Sequence, residues 1–400
     1  MIWKNTAKWF LITLIIGLIG GLGSYIFLNL LDITTNARIS HPFFIYLLPV
    51  SGFGIGLAYY YFGTEEAKGN NKLIEEIYEP KQTISYKMAP MVLFSTLLTH
   101  LVGGSAGREG TALQISASIS DQLSKVFKLT IQDRSLLLLA AVSAGFGSVF
   151  GTPFAGAIFA LEIFFFNKIK IHFLPVVVFS SYFAHYFCLF LGAKHTEYVV
   201  NILPEMNGFT VLYCILIGFF CGLASYFYKI LAEFIAKQFQ NFIKFPPLRP
   251  AIGGLILLLI FLLFDSNTYM GLGISTIQHS FISNQSPEIF FIKILLTAFT
   301  LSVGFKGGEV TPLFFIGATL GSAMFVFIPL PISILAAMGF VAVFAGATNT
   351  PFASSILGIE LFGLHTAIYI LIACFTAYFF SGQRSIYTAQ KLGKWKVFKG

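Results

Sequence analysis

The chain has 400 residues, 56% of them hydrophobic and only 10% charged, with a formal net charge of +8 and a mean hydropathy of +0.81. Soluble domains carry about 25% charged residues, so this composition excludes a soluble enzyme or binding domain and predicts a polytopic α-helical membrane protein. The positive charge does not point to nucleic acid. Lys4 and Lys8 flank the first apolar run, and Arg384, Lys391, Lys394, Lys396 and Lys399 follow the last.

Taken in chain order, the runs 9–30, 43–62, 207–227 and 366–380 approach the roughly 20 apolar residues that a crossing needs. The first is too long for a signal-peptide core and no small-x-small site follows it, which predicts a retained helix. The basic flanks place both termini on the cytoplasmic side. A single transmembrane domain is expected over residues 1–400, with no soluble regulatory domain. Cys188, Cys214, Cys221 and Cys374 lie in apolar runs without C-x-x-C spacing and are expected as small buried hydrophobes. The seven histidines form no metal-ligand pattern, so neither metal nor cofactor is expected.

Several apolar segments are short. The stretches 135–150, 152–166, 312–328 and 331–347 are each interrupted by Gly or Pro after about fifteen residues. Backbone that stops inside a bilayer must be buried by protein or line a polar cavity. Broken helices of this kind mark transporters and channels. They also come in pairs. Seven of thirteen positions agree between TPFAGAIFALEIF at 152–164 and TPFASSILGIELF at 350–362. Upstream, Gly107-Arg-Glu109-Gly-Thr111-Ala-Leu113 aligns with Gly307-Gly-Glu309-Val-Thr311-Pro-Leu313. A duplication is expected, with repeats over about 8–190 and 208–390 and a substrate site where the two meet.

Four polar corners interrupt the apolar pattern, at 69–72, 103–111, 304–312 and 381–389. Glycine-rich corners that open helices leave backbone N–H groups unpaired where the helix dipole is positive. Several such ends converging make an anion site without a fixed cation, and neutral donors hold an anion weakly enough to release it. Glu109 then acquires a role. Ionised, it can occupy the anion position itself; protonated, it can leave. The competing structural role, a local ion pair with Arg108, is disfavoured because adjacent helical residues do not face one another.

These corners resemble those of the CLC family of anion channels and proton-coupled anion transporters, over about residues 8–392. GREGT at 107–111 resembles the family's GREGP, whose glutamate is the external gate. GFKGGEVTP at 304–312 resembles the GGxFxP region, and Tyr387 in SIYTAQ falls at the inner-gate tyrosine. The departures are as informative. Asn70 stands where chloride-type members place an anion-coordinating serine, Thr111 replaces proline, and Val310 replaces phenylalanine. Ile163 occupies the position of the internal proton-relay glutamate. GNN, GREGT and GGEVTP together are similar to the fluoride/proton antiporter branch, CLC-F.

The resemblance implies an all-α CLC-type inverted repeat of tilted, partly broken helices that exports cytoplasmic fluoride in exchange for protons. It also implies a homodimer with one pore per subunit in a bacterial cell membrane. The expected gating and proton-coupling residues are Glu109, Glu309 and Thr311; the expected anion-binding residues are Asn70, Gly107, Val310 and Tyr387. Fluoride is small and strongly hydrated, so its site must supply donors in place of water. The Asn70 amide offers two donors where serine offers one. A chloride/proton exchanger and a passive anion channel are the alternatives on the same fold. An intramembrane enzyme lacks a nucleophile and base in the paired corners.

Overall fold

The computed structural model describes residues 6–165, 171–263 and 267–391. Lys4, Lys394, Lys396 and Lys399, which carried part of the orientation argument, lie outside the described residues. The first half contains α1 (Thr6–Ser40), α2 (Leu48–Phe62), α3 (Asn70–Tyr78), α4 (Met88–Leu101), α5 (Glu109–Ser120), α6 (Leu123–Val126), α7 (Ile131–Phe150), α8 (Pro153–Phe165) and α9 (Leu174–Phe190). The second contains α10 (Gly208–Phe242), α11 (Leu248–Leu263), α12 (Ile274–Ser280), α13 (Pro287–Ser302), α14 (Val310–Ala323), α15 (Ile332–Thr348), α16 (Pro351–Phe362) and α17 (Ala367–Phe380). With α6 set aside, each helix of the first half has a counterpart in the second, in the same order.

The counterparts also pack alike. α1 lies on α7 and α9 as α10 lies on α15 and α17, and α5 crosses α7 as α14 crosses α15. α1 and α10 are both 35 residues, about 50 Å of helix, so each outruns the roughly 30 Å hydrocarbon layer. The helices that build the centre are shorter: 12 residues in α5 and 14 in α14. Lipid gives no hydrophobic drive for helix association, so small residues that permit close contact do the work. Gly317 of α14 and Gly339 of α15 meet so closely that a Cβ on either would overlap the other's carbonyl. Around that crossing Phe314 stacks on Phe340 with centroids 4.0 Å apart, and Phe146, Phe159 and Phe344 continue the aromatic core.

One expectation fails. The segment expected to span only 135–150 is the helix α7, 20 residues long and sufficient to cross alone. It begins at a Thr130 cap that accepts from the Asp133 N–H, and its first turn carries the polar run Gln132, Asp133 and Arg134. Arg134 does not end the helix because its charge is matched internally. It bonds Asp121 at 2.7 and 2.8 Å and Glu76 at 2.9 Å, all three buried. The network ties α3 and the end of α5 to α7. The other short segments remain short, as α8, α14 and α15. The four cysteines are buried and unbridged.

Where the halves meet, α8 and α16 pack together and exchange carboxylates. Glu162 accepts from the N–H groups of Phe352 (3.0 Å) and Ala353 (2.6 Å), at the start of α16. Glu360 accepts from Phe154 (3.0 Å) and Ala155 (2.7 Å), at the start of α8. Each helix opens with proline, which has no N–H, so the next two amides are the ones that need an acceptor. The environments differ: Glu162 is fully buried, whereas Glu360 is exposed in the single chain. Glu162→Ala should therefore cost about 2–4 kcal/mol by stranding two buried amides. Glu360→Ala should cost about 1 kcal/mol or less. Thermal unfolding of the purified protein in detergent checks the order; equal losses would contradict it.

Candidate functional site

The corner before α5 and the corner before α14 are joined back to back. Gly107 N–H donates to the Gly308 carbonyl at 2.6 Å, and Gly308 N–H returns a bond to Gly107 at 2.8 Å, forming an isolated antiparallel bridge. The preceding helices end at Gly103 (φ +89°) and Gly304 (φ +116°), a left-handed conformation that glycine adopts without penalty. The bridge delivers the start of each helix to the same point. It also gives Gly107 a different position from the one expected. Its N–H is committed to Gly308, so Gly107 locks the two corners together and does not offer that donor to an anion.

Glu109, at the first turn of α5, reaches across this bridge. Its carboxylate accepts from the Val310 N–H at 2.5 Å, the Thr311 N–H at 3.3 Å, the Thr311 hydroxyl at 3.2 Å and the Arg108 N–H at 3.0 Å. The side chain is 1% exposed. Two of these donors are the leading amides of α14, where the helix dipole favours negative charge. Among the described residues no cation pairs with the carboxylate. The Arg108 guanidinium instead lies over the Phe150 ring at 5.9 Å, so the local ion pair is not formed. Thr111, in place of the family's proline, bonds the Thr96 hydroxyl at 2.7 Å.

Asn70 opens α3 close beside this point. A Cβ on Gly110 would lie 3.0 Å from the Asn70 Nδ2. Gln114 of α5 donates its Nε2 to the Asn70 Oδ1 at 3.2 Å. That bond occupies the acceptor end of the Asn70 amide and turns the donor end toward the start of α5. The adjacent Asn71 accepts from the Ala389 N–H at 3.0 Å, binding the first corner to the fourth.

The fourth corner differs from the other three. Residues 381–389 form turns after α17 and open no helix, so this corner contributes a side chain and no helix terminus. Its Tyr387 is 5% exposed and shares a small cavity with Asn70, Leu113, Phe159 and Ile163. Ile163 therefore puts an apolar wall in the position where an internal carboxylate was noted as missing. The segment is held by Lys229, a buried residue whose ammonium donates to the carbonyls of Gly346 (2.9 Å), Ser381 (2.8 Å) and Arg384 (2.8 Å). Arg384 also pairs with Glu233.

Glu309 precedes α14 but its side chain caps no backbone amide of that helix. It accepts instead from the Tyr228 hydroxyl at 3.0 Å. Tyr228, on α10, is 1% exposed. Tyr228, Gln114 and Lys229 are contributors that the sequence did not single out. Each sits in an ordinary helical pattern, and only the crossing of distant segments gives it a partner. Glu109, Val310, Thr311, Asn70, Tyr387 and Glu309 do converge on one region, drawn from all four corners.

A sequence profile described as "Voltage gated chloride channel" matches residues 51–382. The chain is 41% identical over 393 residues to a chloride/fluoride channel protein of Pseudomonas syringae pv. tomato, covering 97% of this chain and 87% of that one. The crystal structure of a CLC-type fluoride/proton antiporter superposes with a TM-score of 0.94 at 32% identity, covering 98% of this chain and 99% of the other. A slow cyanobacterial Cl−/H+ antiporter has the same fold, with a TM-score of 0.81 at 19% identity over 93% of both chains.

The contact between Gly308 and Glu109 generates a specific test. A Cβ at Gly308 would overlap the docked carboxylate, whose side chain is flexible enough to move away. Gly308→Ala should leave the protein folded but expel Glu109 from its amides. In reconstituted vesicles, anion efflux should become at least about tenfold less sensitive to an imposed proton gradient; unchanged coupling would show that docking is not required.

Proposed function

The chain belongs to the CLC family of voltage-gated chloride channels, and on that premise we propose that it is a fluoride/proton antiporter, exporting cytoplasmic fluoride as protons move inward. The observation that carries this reading is the docked Glu109: a carboxylate held by neutral donors at the start of a helix from the opposite repeat. A free anion would need the same donors. Carboxylate and anion therefore compete for one place, and protonation of Glu109 decides which of them has it.

The cycle follows from the geometry. With Glu109 ionised and docked, the amides of Val310 and Thr311 are occupied and the path is shut. An anion approaching along Asn70 and Tyr387 meets amide donors that replace part of its hydration. Protonation removes the charge that holds Glu109 to α14, and the anion takes the vacated amides. Return of the ionised carboxylate expels the anion and closes the path. Neutral donors suit this exchange because a fixed cation would hold fluoride through the cycle.

Protons pass from Glu109 to the cytoplasmic side through Glu309, with the Tyr228 hydroxyl as its hydrogen-bond partner on that route. Ile163 leaves the usual position without a titratable group, and the 3.0 Å bond between Tyr228 and Glu309 supports the alternative route. The protein acts as a homodimer with one pore per subunit in a bacterial inner membrane, both termini cytoplasmic. The two repeats, 8–190 and 208–390, form one transport domain.

The deciding measurement is fluoride efflux from liposomes with and without a proton gradient. Wild-type protein should show a reversal potential that moves with the gradient. Glu109→Gln should abolish that dependence or stop transport. A wild-type reversal potential indifferent to protons would identify a passive channel instead. Tyr228→Phe retains the ring and removes only the hydroxyl. It should slow proton-coupled flux roughly tenfold or more, within the usual range for a proton-transfer group, and unchanged coupling would remove Tyr228 from the route.

A further inference from the structure

Beyond the central site lies a large cavity. It occupies about 650 Å³ and opens at the end of α1 remote from Lys8, lined by Asp32, Thr35, Arg38, Thr268, Ile274 and Ser275. Arg38 is 9% exposed. Its Nη1 contacts the Met270 sulfur at 3.4 Å, a weak acceptor, and its Nε has no partner. Buried guanidinium groups are ordinarily matched by carboxylates. Asp32 shares the cavity but forms no ion pair with Arg38 within 4.0 Å.

Further polar groups lie close by. His100 is 1% exposed and its Nδ1 is unpartnered. Arg38 and His100 converge on Gly271, where a Cβ would lie 3.4 Å from the Arg38 Nη2 and 3.3 Å from the His100 Nδ1. Lys293, fully buried, donates to the carbonyls of Tyr269 and Gly271, both at 2.9 Å, and so fixes the cavity floor. The floor is coupled to the gate corner. Gly271 N–H donates to the Gly104 carbonyl at 3.2 Å, and His100 Nε2 lies 3.4 Å from the Gly107 carbonyl. Ile274 lines this cavity and also a smaller one containing Arg108 and Thr311. Ile274 is thus a shared wall of the Arg38 cavity and of the small cavity that reaches Thr311.

We propose that the Arg38 cavity is an outer anion subsite, in which a hydrated halide rests against the Arg38 guanidinium after leaving, or before entering, the amide site at Val310 and Thr311. The volume admits an ion with hydration water, and the Thr35, Thr268 and Ser275 hydroxyls supply further donors. A fixed cation is tolerable here because the ion stays hydrated and the cavity is open, so the attraction is screened. At the central site, where the ion is stripped, the donors are neutral. The subsite extends the antiport reading, but binding to it does not require proton coupling.

Bromide is the probe. Crystals of the full-length protein soaked in bromide should show an anomalous peak beside the Arg38 guanidinium. Arg38→Met, matched in length but uncharged, should lose the peak, and Arg38→Lys should keep it. In oriented vesicles, Arg38→Met should raise the half-saturating fluoride concentration on the cavity side about fivefold. The coupling ratio should stay at its wild-type value. Absence of the peak from the wild type, its survival in Arg38→Met, or an unchanged half-saturation would each overturn the subsite. Sulfate displacing bromide at equal concentration would overturn the halide assignment in favour of an oxyanion. If Arg38→Met does not fold, the wild-type and Arg38→Lys maps still decide. Failure of proton coupling with the bromide peak intact would count against the antiport reading alone.

Discussion

A carboxylate on one helix sits on the leading amides of another, and the arrangement of the protein serves that contact. Glu109 is buried with four donors around it, none carrying a full charge. Burying an ion without compensation is expensive, and here the compensation comes from backbone N–H groups and one hydroxyl. Such donors are as available to a small anion as to a side-chain oxygen. The site is therefore stable when closed and still accessible when the carboxylate leaves. A lysine or arginine in the same place would favour one permanent occupant.

Neither repeat can build this site alone. Glu109 opens α5 while its principal donors open α14, about 200 positions later in the chain. The glycine bridge at Gly107 and Gly308 brings the two helix starts into contact, and Gly308 leaves room for the carboxylate. The crossed capping by Glu162 and Glu360 repeats the same device at α8 and α16, with a structural outcome. In both cases an acid from one half satisfies amides of the other. The difference lies in what else can reach those amides. At α16 the acceptor Glu162 is enclosed, whereas Thr311 of α14 lines a small cavity that also holds Arg108.

Three fixed cations around the central site are occupied by partners of their own. Lys229 is saturated by three carbonyls and anchors the turn that bears Tyr387. Arg134 is neutralised by Asp121 and Glu76 and anchors α3, which bears Asn70. Lys293 supports the loop beneath Arg38. Among these four only Arg38 retains an unpartnered buried nitrogen, its Nε, and Arg38 lines an open cavity.

The amino-acid order by itself determined the membrane class, the short helices at the centre, the duplication and the polar corners that open them. It could do so because composition, helix breakers and glycine-flanked acids are local signals, each readable within a dozen residues. Glu109, Val310, Thr311, Asn70 and Tyr387 all belonged to such signals. The start of α7 was missed because its first turn, Gln132 to Arg134, is polar and lies outside the apolar stretch, and only Asp121 and Glu76 allow Arg134 to be buried there. Gly107 looked like a free donor because its bridge partner lies 201 positions away. Tyr228, Gln114 and Lys229 carried no signal at all, since a tyrosine, a glutamine or a lysine in a helix gains meaning only from what crosses it. Tertiary structure alone decided which amides Glu109 occupies, because hydrogen bonds between distant segments depend on where two helices meet and leave no trace in the spacing of either.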